Sequence, residues 1–413
     1  MARGAVARMM LVMALLWHAI GVADHYREAT RSRGGLDFAS YYYAVQVAAE
    51  GGDPYDKAEL ANAAQDDDTR KGVHPFFYPP PFLLTMVWAL PLDLHAAYRL
   101  WFWIDELFAL ASAFALWRWW RGLGDAATAT LIASGALLTA VPNNHLMGQA
   151  NFPVLFAVIT GLWAAERGRD VLGGALVGAA CMMKMSPALF VVWWLLHGRW
   201  RAAAVACGSA VVYSLATLPL LGLSDQVSFY AEVLPEFSSG SYNGLGVGID
   251  LFGNHSLPNL YDAWFPNGGG GHLVLSGVAR VLSSGTLLVL SAFTFWALRR
   301  SPGDALSRAA HVGAIAAVML LVPVITYEHH LIWLMPGAVA AVAALAGGRL
   351  SPRWGAPLGL ALTAWCFDLV DIKSLSLGLA EASPLAAWVV RELKMMAILV
   401  VYAACLRVGR ERA

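Results

Sequence analysis

The chain has 413 residues, of which 58% are hydrophobic and only 14% charged, and its net charge at neutral pH is zero. A soluble domain of this length would carry about a quarter charged residues, so the composition excludes an ordinary soluble globule and points to a bilayer. The charge balance offers no footprint for nucleic acid. The four cysteines, Cys181, Cys207, Cys366 and Cys405, sit singly in apolar runs and read as small buried hydrophobes.

Hydropathy predicts apolar spans at 6–22, 95–117, 128–141, 152–165, 171–183, 186–197, 202–222, 280–298, 309–325, 330–346, 355–371 and 388–406. The first lies behind Arg3 and Arg8. With so much membrane following, it reads as an uncleaved helix rather than a removed signal. A further apolar piece, 82–92, is bracketed by Pro79-Pro80-Pro81 and Pro91. At about 1.5 Å per residue it is short for a crossing, which predicts a re-entrant or interfacial helix. No repeat or low-complexity tract divides the chain. The expectation is one all-α integral membrane domain, 1–413, with about twelve transmembrane helices.

Charge sets the expected topology. With both termini cytoplasmic, the inner segments hold sixteen arginines, among them the pairs Arg167/Arg169, Arg199/Arg201 and Arg299/Arg300, out of 28 Lys and Arg. The segment 223–271 has no Lys or Arg, as expected of an outward loop. The first outer loop, 23–81, breaks the trend with six basic residues, but it is also acidic, and long loops follow the rule poorly. Residues 171–197 read either as one helix kinked at Pro187 or as a hairpin turning near Lys184. Only the hairpin leaves both arginine pairs inside.

In this layout the unusual polar clusters all face outward. They are Gly34-Gly35-Leu36-Asp37 with Tyr41, Tyr42 and Tyr43, then Gly52-Asp53-Pro54-Tyr55; Asn143-Asn144-His145 with Gln149 and Asn151; Lys184-Met185-Ser186-Pro187; Asn254-His255-Ser256; and Tyr327-Glu328-His329-His330. Taken singly, each has a structural alternative. Asp37 reads as the N-cap of a helix starting at Phe38 or as a reactive carboxylate, and Asn143–Asn151 as a polar turn or a binding loop. His329 and His330 read as interfacial residues or a metal site, although no HxxxH or carboxylate spacing supports a metal. Lys184, a cation at membrane depth, is a functional candidate by default. For Arg99, Asp105, Glu106, Arg280, Arg391, Glu392 and Lys394, structural pairing is expected.

In order along the chain, Leu36-Asp37-Phe38 with its tyrosine run, Gly52-Asp53-Pro54-Tyr55, Tyr78-Pro79-Pro80, Gly148-Gln149-Ala150-Asn151, Lys184-Met185-Ser186-Pro187, Asn254-His255-Ser256 and His329-His330 resemble the polyprenol-phosphate-dependent mannosyltransferases of glycosyltransferase family 87. His255 departs from the pattern, where Gln is expected. The resemblance implies a GT-C fold in the cell's inner (plasma) membrane, a polyprenyl-phosphate-linked sugar donor, a glycolipid or polysaccharide acceptor, and neither metal nor cofactor. It makes Asp37 the general base on the acceptor hydroxyl, in a single inverting displacement needing one carboxylate. Lys184, His330 and His329 would hold the donor phosphate. Gln149, Asn151, Asn144, Tyr42, Asn254 and Ser256 would contact substrate, and Tyr41, Phe229, Tyr230 and Trp264 would be available to stack on sugars. The outer loops 23–81 and 223–271 would form the catalytic face.

Two rival readings share the composition. A lipid-linked-sugar flippase should show paired broken helices in two halves, and no such symmetry is visible. An oligosaccharide ligase or polymerase would use arginines in its large outer loop, and 223–271 has none. The topology is tested by single cysteines at Ser239 and Gly348 in a background lacking the native four. Impermeant reagent should label them from opposite faces, whereas labelling of both from one side overturns the layout.

Overall fold

The computed structural model describes residues 2–31, 36–65, 73–242, 244, 246–268 and 272–410, and every regular element among them is helical. Several predicted apolar runs recur as helices with nearly the expected limits, such as Leu94–Trp120, Asn151–Glu166, Asp170–Met183 and Gly277–Ala297, whereas 388–406 is split between Pro384–Arg391 and Leu393–Gly409. The first helix, Ala2–Arg31, runs well past the predicted span. The proline-bracketed piece is a 3-10 helix, Pro80–Ala89, buried through Phe82, Leu83 and Met86. Prolines suit a first turn, where an N–H would have no partner. Gly34-Gly35 lies outside the described residues.

Three described helices are long and apolar enough to cross a bilayer: Leu94–Leu123, Gly277–Ala297 and Glu328–Ala346. The count rises to five if two bent pairs, Asp125–Leu137 with Ala140–Met147 (46°) and Pro352–Cys366 with Leu369–Leu379 (109°), are each one span. This is fewer than the twelve read from hydropathy. Helices such as Asp170–Met183, with 14 residues, and Asn151–Glu166, with 16, explain the gap. At about 1.5 Å per residue they reach about 21 and 24 Å, short of the roughly 30 Å hydrocarbon core.

The hairpin reading of 171–197 matches the fold. Arg199 Nη1 donates to the Ala165 carbonyl (2.6 Å) and meets Asp170 Oδ1 at 3.4 Å. The end of Ala188–Leu196 therefore returns beside the start of Asp170–Met183, leaving Lys184 in an extended conformation at the far tip. Close packing holds the hairpin: a Cβ on Gly174 or Gly178 would come within 2.5 Å of the Ala202 or Ala206 carbonyl of helix Trp200–Thr217. In the other half, Ala305–Leu321 is buried nearly all round, between Met335–Ala346 and Leu393–Gly409. The segments 23–81 and 223–271 meet, with Phe77 stacked on Phe237 (4.4 Å), Tyr55 against Phe229 (5.0 Å) and Lys57 Nζ donating to the Gly244 carbonyl (3.0 Å).

One corner positions the polar residues. Ala140–Met147 ends at Gly148, whose backbone is left-handed (φ +68°), and the chain turns into Asn151–Glu166. A Cβ on Gly148 would lie 2.5 Å from the Phe38 Cβ, so only glycine lets the corner rest against the start of helix Leu36–Ala49. Trp101 Nε1 pins the Gly148 carbonyl at 2.8 Å. Gly148→Ala should therefore lower the thermal unfolding midpoint in detergent. The left-handed residue alone costs about 1–2 kcal/mol, and the clash with Phe38 adds to it. An unchanged midpoint would contradict this account of the corner.

Candidate active site

The side chains that gather round this corner come from five places where regular helix starts, ends or breaks. Helix Leu36–Ala49 carries Asp37 in its first turn and Tyr41 one turn on, on the same face. The segment ahead of the 3-10 helix supplies His74 and Tyr78, and the Gly148 corner supplies Gln149 and Asn151. The hairpin tip supplies Lys184. The 3-10 segment Glu328–Leu334 supplies His329 and His330.

Gln149 joins them. Its Nε2 donates to Asp37 Oδ2 at 2.7 Å. Its Oε1 accepts from Lys184 Nζ (2.9 Å), Tyr78 OH (3.0 Å) and Tyr41 OH (3.1 Å). Lys184 also donates to Asn151 Oδ1 (2.5 Å) and lies over the Tyr78 ring (5.6 Å). Among the described residues, its hydrogen bonds thus go to two neutral amide oxygens and to no carboxylate. Burial, then the Asp37 charge, raises the Tyr78 hydroxyl above its usual range, and burial does the same to Tyr41, so both stay protonated.

The Asp37 carboxylate is partly open, with 17% of its side chain exposed. Its Oδ1 faces His74 Nδ1 at 3.2 Å, and the His74 side chain is 42% exposed. Burial alone would raise the Asp37 carboxyl. The His74 hydrogen bond, the His329 and His74 rings and the Gln149 amide outweigh it and hold the group below the usual carboxylate range. Asp37 is therefore an ionised acceptor at neutral pH rather than only a helix cap.

His329 is buried, and its Nε2 has no hydrogen-bond partner. It stands within electrostatic reach of Asp37, Lys184 and His74. His330 packs against it, with ring centroids 4.3 Å apart. The Tyr327 N–H donates to Nδ1 of His330 at 2.9 Å, leaving the proton of the neutral ring on Nε2. Such an unmet nitrogen beside a cation suits an anionic ligand. Among the described residues, no group of three or more His, Cys, Asp or Glu is arranged to hold a metal ion.

The other predicted residues lie elsewhere. Asn144 is fully buried one layer beneath, donating to Asp105 Oδ2 (2.7 Å) and accepting from Asn151 Nδ2 (2.9 Å). Asp105 and Glu106 pair as expected, both with His145 (2.8 and 3.1 Å). Tyr42 turns away and donates to the Leu92 carbonyl (2.8 Å), so Tyr41 is the tyrosine at the site. Asn254 and Ser256 are buried and committed to the Val324 carbonyl, and Ser256 caps Leu257–Trp264. Phe229 is buried against Tyr55 rather than open to a sugar. His255, the departure from the motif, meets Glu328 at 3.0 Å. His74, one histidine in a polar loop, carries no local signal in the sequence, and its contact with Asp37 is what marks it.

A family model described as glycosyltransferase family 87 matches residues 76–323, more than half of the chain. The chain is 27% identical over 247 residues to a polyprenol-phosphate-mannose-dependent alpha-(1-2)-phosphatidylinositol mannoside mannosyltransferase of Mycolicibacterium smegmatis, covering 57% of this chain and 52% of that protein. It is 29% identical over 213 residues to the corresponding pentamannoside mannosyltransferase of the same organism, covering 50% and 47%. A pentamannoside mannosyltransferase of Mycobacterium tuberculosis is 29% identical over 197 residues, covering 46% and 39%. The chain thus spans about half the length, or less, of these curated relatives. The family match contains Tyr78, Gln149, Asn151 and Lys184, whereas Asp37, His74, His329 and His330 lie outside it.

The His74 contact gives a pH prediction. In His74→Ala, burial of Asp37 persists while the imidazole hydrogen bond that opposes it is lost, so the Asp37 pKa rises. Where Asp37 must be ionised, the acid limb of the kcat/KM profile should move to higher pH, and His74→Asn, which keeps an N–H donor, should restore part of it. A limb that stays in place in the alanine variant would remove His74 from the carboxylate's environment.

Proposed function

The chain belongs to glycosyltransferase family 87, and from that premise we propose a membrane mannosyltransferase that takes mannose from polyprenyl phosphate and joins it to a glycolipid hydroxyl. The single observation behind this reading is Lys184, held by two neutral amides and within electrostatic reach of His329, whose Nε2 has no hydrogen-bond partner. A lipid phosphate supplies the missing counter-charge. The names of the mycobacterial relatives give polyprenol-phosphate mannose as donor and phosphatidylinositol mannosides as acceptors, and the acceptor here belongs to the same class of glycolipid.

In the proposed step, Asp37 takes the proton of the acceptor hydroxyl as its oxygen attacks the anomeric carbon. The bond from that carbon to the phosphate oxygen breaks, and Lys184 with the His329 and His330 rings meets the charge that develops on the phosphate. Asp105, the next carboxylate along the polar chain, is buried and bound to His145 and Asn144, so among the described residues of this chain of contacts it does not stand ready as a nucleophile. A single displacement with inversion follows. The charge pattern supports N- and C-terminal ends in the cytoplasm and a reaction on the extracytoplasmic face of the inner membrane, and the family membership supports a GT-C arrangement.

The test is transfer by membranes containing the protein, supplied with labelled polyprenyl-phosphate mannose or nucleotide-linked mannose and scored for product lipid. Only the former should be used. Asp37→Asn keeps size and capping ability but cannot act as base, so turnover should fall by about 10²–10⁴-fold with donor binding retained. Lys184→Met should chiefly raise KM for the donor. Normal turnover by a folded Asp37→Asn protein would sink the catalytic reading.

A further inference from the structure

A second site lies away from the Gly148 corner, where two helices end side by side. A cavity of about 540 Å³ opens between the C-terminal ends of Gly277–Ala297 and Leu393–Gly409 and is lined by Arg299, Arg300, Arg407 and Arg410. The rest of its wall is Ala297, Ala403 and Leu406, so none of the described lining residues is acidic. The Arg299 and Arg410 guanidiniums lie over the Trp296 ring, at 4.7 and 5.5 Å. Two helix C-termini here carry about half a negative charge each. Against the Arg299, Arg300 and Arg410 guanidiniums alone, with Arg407 left out of the count, this leaves a surplus of about two positive charges among the described lining residues.

The surroundings of the cavity identify the kind of anion. Gly277–Ala297 is a candidate membrane span of which only 17% is buried by the rest of the protein. Val281, Leu288, Val289, Phe293 and Trp296 form an exposed apolar surface that runs along it to the arginines. An acyl chain lying on that surface brings its headgroup phosphate to the guanidiniums, which match phosphate oxygens in pairs. A soluble anion would gain the charges but would have no use for the apolar approach. We propose that this cavity is a binding site for the phosphate headgroup of an anionic phospholipid of the surrounding bilayer, separate from the site of sugar transfer. Basic pockets between membrane helices recognise such headgroups.

The full chain, purified in neutral detergent, would be titrated with phosphatidylglycerol, phosphatidylcholine or inorganic phosphate, following the thermal midpoint and lipid retention by native mass spectrometry. Phosphatidylglycerol should raise the midpoint and stay bound, while the other two should do neither. Arg299→Gln with Arg407→Gln, and Arg300→Gln with Arg410→Gln, should each weaken phosphatidylglycerol binding, and the fourfold variant should weaken it by at least about tenfold. Equal retention by wild type and both double variants would overturn the proposal, as would an equal effect of phosphatidylcholine. A shift with inorganic phosphate as large as that with lipid would make this a site for soluble anions and overturn it as well. If the fourfold variant fails to fold, the two double variants still decide. None of these residues touches the Asp37–Lys184 site, so failure of the transferase reading leaves this result standing, and the reverse also holds.

Discussion

The site depends on one amide that keeps two opposite charges apart. Asp37 and Lys184 would neutralise each other if they met, and under the proposed function a direct ion pair would leave neither a base for a hydroxyl nor a cation for a phosphate. Gln149 stands between them, with its NH₂ towards the carboxylate and its carbonyl towards the ammonium. The orientation is forced, because only the oxygen can accept from Lys184, Tyr41 and Tyr78, and only the nitrogen can donate to Asp37. Each side chain is held by a hydrogen bond to the same amide, and Asp37 stays partly exposed. The Gly148 corner matters because it sets where that amide stands.

Beneath the amide, polar groups are stacked so that few can move independently. Asn151 holds Lys184, Asn144 holds Asn151, Asp105 holds Asn144, and His145 clamps Asp105 and Glu106. On the other flank, Glu328 is pinned by His255, by Thr139 and by Lys394 of the C-terminal helix. Buried charges are costly unless fully partnered, and such a network, once satisfied, rigidifies its surroundings. Its consequence here is local: the 3-10 segment carrying His329 and His330 begins at Glu328 and cannot swing away from Asp37 without breaking that cluster.

The helices were legible because a run of apolar residues declares itself without knowledge of its neighbours. The site was legible for a related reason, since Asp37, Gln149, Asn151, Lys184 and His329 are polar residues at breaks in apolar sequence. Hydropathy did not show how far each run extends as helix, because length is set by where the chain turns against its neighbours. Choosing Tyr41 over Tyr42 needs the rotational phase of a helix whose start the sequence placed two residues late. The commitment of Asn254 and Ser256 to the Val324 carbonyl joins residues some seventy positions apart. His74 became visible only through its contact with Asp37, and for Lys394, where pairing was expected, only the structure names Glu328 as the partner. Local pattern records burial and breaks; it does not record which distant group meets which.

The breaks and the chemistry are connected by the same physics. In a bilayer, irregular backbone survives only where protein or a watered cavity can satisfy its free N–H and C=O groups. At the Gly148 corner those groups are met by Trp101, Tyr98 and Asn144 side chains, and at the hairpin tip the break leaves Lys184 facing inward rather than into lipid. A place able to tolerate unwound helix is already polar, partly wet and lined from several elements. Those are the conditions under which a carboxylate can stay ionised and an ammonium can wait for a phosphate. The part of the chain that matches the family supplies the amide and the cation, and the flanks to either side supply the carboxylate and the imidazoles. The cluster round Gln149 therefore needs both flanks, helix Leu36–Ala49 and the 3-10 segment Glu328–Leu334, packed against the corner.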